Sequence, residues 1–97
     1  MTPTAFRESL AGAAPPEGLA PALVALWHAA RDEWDCAHAA VQGHEGEADC
    51  DWVHAHLHRI EGDAANAGYW YRRARKPVAS GALDEEREAI VAALLTR

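Results

Sequence analysis

Apolar residues recur along this chain at helical steps, and no segment alternates with the period of two that a strand shows. Leu19, Leu23, Leu26, Trp27 and Ala30 fall on one stripe, which predicts a helix over 19–31. Pro21 suits its first turn, where a missing N–H costs nothing. Asp32-Glu33 interrupts the pattern. A second helix over 33–42 puts Trp34, Ala37, His38 and Val41 on one face, and Gly43 ends it. An acidic loop follows, with Gly43, Glu45, Gly46, Glu47 and Asp49. The third helix is expected over 51–61, capped by Asp49 or Asp51. Its stripe is Trp52, Val53, His56, Leu57 and Ile60, with His54, His58 and Glu61 together beside it. Gly62-Asp63 supplies a stop and then a new cap. The fourth helix, 64–76, turns Ala67, Trp70, Tyr71 and Ala74 inward and Asn66, Tyr69 and Arg73 outward, and Pro77 closes it.

Two weaker elements flank this centre. Phe6 and Leu10 share a face at i, i+4 spacing and predict a short helix over 3–11. The prolines Pro15 and Pro16 make 13–18 an extended linker. A last helix over 84–96 opens on Asp84-Glu85-Glu86, carboxylates at the positive end of the macrodipole, and shows Ile90, Val91, Leu94 and Leu95 as its apolar face. The expected architecture is all-α. One domain, 1–97, holds helix-turn-helix pairs at about 19–42 and 51–76 and the final helix.

Composition sharpens this picture. Many of the hydrophobic residues are alanine, so the four tryptophans, one per long helix, are expected to fill much of the core. A net charge of -6 argues against a nucleic-acid or anionic-membrane partner. No apolar run nears the roughly 20 residues of a membrane span, and the start lacks the pattern of a signal peptide. Cys36 and Cys50 sit in no metal or redox spacing and read as reduced thiols in a cytoplasmic protein.

Sliding the chain against itself by 30 residues pairs Trp27 with Leu57, His28 with His58, Asp32-Glu33 with Gly62-Asp63 and Ala37 with Ala67. In the second copy Gly62-Asp63, Ala67, Tyr71, Ala74 and Pro77, together with the run Trp70-Tyr-Arg-Arg-Ala74, resemble a helix pair of the tetratricopeptide family and its Sel-type relatives. The first copy lacks the turn glycine and the closing proline. The resemblance implies antiparallel helix pairs packed as a compact bundle. It also implies peptide or protein binding, with no particular partner.

Two constellations are candidates for function. Asn66, Tyr69, Arg72 and Arg73 form an aromatic and basic patch suited to an acidic peptide or a carboxylate. His54 and His58, i, i+4 neighbours, with Glu61 one turn on, are candidate ligands for zinc or nickel. His28, His38 and His44 could add to them from elsewhere. His58 with Glu61 or Asp63 is the best acid–base pair. There is, however, no nucleophile, oxyanion hole, phosphate loop or cofactor fingerprint. The expected function is therefore a non-catalytic protein-interaction module without a cofactor. A metal- or small-ligand-binding bundle is the alternative. A homodimer could form through the apolar face of the last helix.

Overall fold

Six α-helices and no strand make up the computed structural model, which describes residues 1–97. They are α1 (Pro3–Ser9), α2 (Pro21–Ala30), α3 (Trp34–Gln42), α4 (Ala48–Ile60), α5 (Ala64–Ala74) and α6 (Leu83–Leu95). The all-α expectation is met. No helix is long and apolar enough to cross a membrane.

Backbone chemistry at the helix ends sets the connections. Asp32 and Gly62 both adopt left-handed conformations, with φ of 60° and 84°. The residue after each donates its N–H five residues back: Glu33 to the His28 carbonyl at 3.0 Å and Asp63 to the His58 carbonyl at 2.9 Å. This bond satisfies carbonyls that a helix end otherwise leaves open. It lets three residues join α2 to α3, and another three join α4 to α5. The third instance ends α5. Arg75 has φ 59° and Lys76 donates to the Tyr71 carbonyl at 3.0 Å, so α5 stops two residues before the position expected from Pro77.

The start of α4 also departs from expectation. Glu47 is its N-cap and neither Asp49 nor Asp51 caps it. Asp51 lies inside the helix, buried, and its carboxylate accepts the Gly46 N–H at 3.2 Å, folding the acidic loop back onto the helix.

Helix α4 is the centre of the bundle and touches α2, α3, α5 and α6. The main core gathers Phe6, Leu26, Trp27, Val41, Val53, Leu57 and Ile90. A smaller one, on the α5 side, holds Ala55, Ala67, Trp70 and Tyr71. Trp27 and Trp70 are buried, whereas Trp34 and Trp52 are half-buried. Each of the latter uses its amphipathic character: Trp34 Nε1 donates to the Leu57 carbonyl at 2.7 Å, and the Lys76 ammonium lies 4.3 Å from the Trp52 ring centre. Ile90 and Val91, the heart of the apolar face of α6, are consumed by the protein's own core.

Helix α1 contributes a single buried side chain, Phe6. Its other tie is Arg31, whose guanidinium donates to the Leu10 and Gly12 carbonyls at 2.7 and 2.6 Å and lies 4.4 Å over the Trp27 ring. Trp27 Nε1 also donates to Ser9 Oγ at 3.2 Å.

A Cβ at Gly62 would meet no atom within 4 Å, so Gly62→Ala costs only left-handed backbone strain, about 1–2 kcal/mol. Thermal melts are expected to show a loss of several degrees for Gly62→Ala. Arg75→Gly is expected to move the other way, by up to about 1 kcal/mol. An unchanged Gly62→Ala would contradict the turn geometry.

Candidate functional site

Helix α5 has two working faces. Asp63 caps it by accepting the Asn66 N–H at 3.1 Å, which fixes the rotation of the first turn. Ala67, Gly68, Trp70, Tyr71 and Ala74 then point into the bundle. Tyr69, Arg72 and Arg73 point out, and the Tyr69 side of the helix is open to solvent at 44% exposure. Arg73 donates from Nη1 to the Tyr69 hydroxyl at 3.1 Å, and its guanidinium carbon is 4.9 Å from the Trp70 ring centre. Its Nε also approaches the buried Asp51 carboxylate, at 4.0 Å. The tyrosine is therefore braced by a cation that is itself anchored. Asn66 behaves differently. Its amide nitrogen lies 3.5 and 3.3 Å from the two ring nitrogens of His58. A donor in the ring plane cannot reach both at these distances, so Asn66 sits over the face of the imidazole.

His54 and His58 were expected at the edge of the apolar stripe, beside the open face. The structure buries both, at 3% and 6% exposure. The wheel of apolar residues underestimates the buried arc, because α3 covers this side of α4 and Trp70 covers the next. His38 of α3 joins them. His38 Nε2 is 3.1 Å from His54 Nε2, and each of the three histidines offers a nitrogen within 4.8 Å of the others. Flat groups hold the rings: Trp34 stacks on His38 with centroids 4.7 Å apart, Trp70 on His54 at 3.9 Å, and Asn66 covers His58. Glu61 accepts from His58 Nδ1 at 2.6 Å, a contact that places the proton on Nδ1 and leaves Nε2 with its lone pair. His28 and His44 lie apart, each bound to its own carboxylate, Glu33 at 2.8 Å and Glu47 at 2.6 Å. Asp63 is exposed at the turn beside His58.

His54 Nδ1 is buried and has no partner, an arrangement that costs about 1–3 kcal/mol in a folded interior. Burial above all, and then the neighbouring His58, His38 and Arg73, push the His54 imidazole down to about 4, so the ring is neutral at pH 7.

One polar cluster was missed by the sequence. Glu86 of α6 accepts from His56 Nδ1 at 2.6 Å, from Arg59 Nη1 at 3.0 Å and from the Tyr71 hydroxyl. Burial alone would raise this carboxyl, but the bonds from His56 and Tyr71 outweigh it and hold the group below the usual carboxylate range. Burial, reinforced by Glu86, pushes the Tyr71 phenol upward. The usable signal was spacing. Glu86 lies four residues before Ile90 on the core stripe of α6, just as His56 lies on the core stripe of α4. Matched polar residues on two buried stripes are expected to meet.

No family model, no curated protein and no solved structure matches this chain.

Two tests follow from these contacts. Glu86→Ala strands three donors on two other helices and is expected to cost about 3–5 kcal/mol in urea unfolding, with Glu86→Gln milder. A loss under about 1 kcal/mol for Glu86→Ala would contradict the network. The second test is pH. An unfolded His54 takes a proton near 6.5 and the folded one only near 4, so the unfolded chain binds more protons between these values. Stability is expected to be full above pH 6.5 and to fall as pH drops toward 4. His54→Gln in chelator-treated buffer should flatten that slope between pH 6.5 and 5, above the carboxylate range. An unaltered slope would refute the assignment.

Proposed function

We propose that the protein is a non-catalytic interaction module built from tetratricopeptide-like helix pairs, and that the outer face of α5 receives its partner. The observation that carries this is Tyr69, an exposed aromatic braced by Arg73 and flanked by Arg72 on a protein of net charge -6. Exposed aromatic side chains with arginine neighbours are the groups that dominate binding energy at protein interfaces. Their sign against the acidic remainder favours an acidic peptide or a carboxylate as the ligand.

The repeat-like pairing is supported by the two left-handed turns at Asp32 and Gly62, 30 positions apart in the sequence, each closed by the same six-residue backbone bond. Small residues at the inner face of α5, Ala67 and Ala74, let it lie close to α4, as such pairs require. Both cysteines are free thiols, Cys36 exposed and Cys50 buried, which suits a reducing cytoplasm. In this proposal Asn66 contributes indirectly, through His58, and Tyr69, Arg72 and Arg73 make the contact.

Affinity capture from the native cell, comparing wild type with Tyr69→Ala/Arg73→Ala, tests the proposal. At least one captured protein is expected to bind at least tenfold more weakly to the variant and to be released by salt. If every partner stays in place on a folded double variant, the proposal fails.

A further inference from the structure

We propose that His38, His54 and His58 form a binding site for a divalent transition-metal ion of the zinc class, backed by Glu61 and with one coordination position left for water or an added ligand.

Geometry is the first argument. Two nitrogens bound tetrahedrally to one zinc at its usual 2.0–2.1 Å lie about 3.3 Å apart. The Nε2 atoms of His38 and His54 are already 3.1 Å apart, and the third ring brings a nitrogen within 4.8 Å. His54 and His58 are one turn apart on α4, the i, i+4 placement that directs two imidazoles at one ion. The third ligand comes from α3, so the ion would tie the two helix pairs together.

Ligand preparation is the second. Glu61 takes the Nδ1 proton of His58 at 2.6 Å, the carboxylate–imidazole arrangement found behind metal-bound histidines. Glu61 is thus committed to the far side of the ring, and it serves the site by orienting His58 in place of ligating the ion. The carboxylate pair Glu61 and Asp63 could instead meet an ion with His58, but both are exposed and Glu61 would have to leave that bond. No second group fixes the tautomer of His54, whose Nδ1 has no partner. That ring is free to present a lone pair to an ion. Trp34, Trp70 and Asn66 clamp the three ring faces, so ordering them costs little on binding.

Access is the third. None of the surface clefts is lined by these histidines. His38 is the most exposed of the three, so it is the ligand placed to swing and admit the ion. Three neutral imidazoles leave the charge of the ion uncompensated. The open position therefore favours a hydroxide, a carboxylate or another anion. Nitrogen donors select zinc, cobalt, nickel or copper over magnesium and calcium.

The site does not rest on the docking face of α5, and its test is separate. Full-length protein without a histidine tag is titrated with Zn²⁺ and Co²⁺, followed by calorimetry, by the visible spectrum of bound Co²⁺ and by Tm. One ion per chain is expected, with a tetrahedral Co²⁺ spectrum and a Tm rise of more than about 5 °C at a hundred times Kd. Because His38 is half-buried, His38→Ala should fold and lose at least tenfold in affinity. Glu61→Gln should lose about 10–100-fold. His44→Ala, on the exposed acidic loop, should bind as wild type does. The proposal is overturned if wild type binds neither ion, if Mg²⁺ or Ca²⁺ shifts Tm equally, or if His38→Ala binds undiminished.

Discussion

Helix α4 is packed on every side, and that constraint shapes the rest of the molecule. From Cys50 to His58 only Trp52 escapes full burial. Four of these nine residues are polar: Asp51, His54, His56 and His58. A buried polar side chain without a partner is costly, so each must be met by something a neighbouring element supplies. Asp51 meets the backbone of its own loop, His56 meets Glu86 of α6, and His58 meets Glu61 at the turn. His54 meets only another histidine, His38 of α3, and one of its nitrogens meets nothing. His56 also keeps a buried nitrogen, Nε2, without a partner, but its Nδ1 is held by a carboxylate, so the least answered demand on the central helix falls at the histidine cluster.

Legibility in the sequence followed the same division. The helices were readable because their apolar stripes are regular, and Gly62 was readable as a turn because glycine occupies left-handed backbone without strain. Asp32 does the same job with a side chain: the break at Asp32-Glu33 was readable, its left-handed backbone was not. His56, Trp70 and Tyr71 were readable as inward because they sit amid apolar neighbours. His54 and His58 were not, since their burial depends on α3 and Trp70, which a wheel drawn for one helix does not contain. Glu86 was hidden by its company: beside Asp84 and Glu85 it looked like another carboxylate near a helix start, although its spacing to Ile90 set it on the core face. Trp34 and Trp52 were expected in the core and are only half inside: Trp34 packs at its edge and donates to the Leu57 carbonyl, and Trp52 gives a ring face to the Lys76 ammonium.

Helix α5 links the two candidate regions without merging them. Its inner face lays Trp70 against His54 and Asn66 against His58, and its outer face displays Tyr69. Arg73 spans both, touching Tyr69 outside, the Trp70 ring beneath it and the edge of Asp51. Arg73 thus joins the outer face to the ring stacked on His54.

The hook of Arg31 on the Leu10 and Gly12 carbonyls gives the N-terminal helix a distinct standing in the fold. Little besides that guanidinium, the Ser9 bond to Trp27 and the Phe6 ring ties α1 to the body, and none of these involves α4. A helix held by so few ties sits at the low end of local stability in the fold. Because Phe6 and Val91 belong to one core cluster and α1 packs on α6, fraying of this short helix would open the main core from its α6 side.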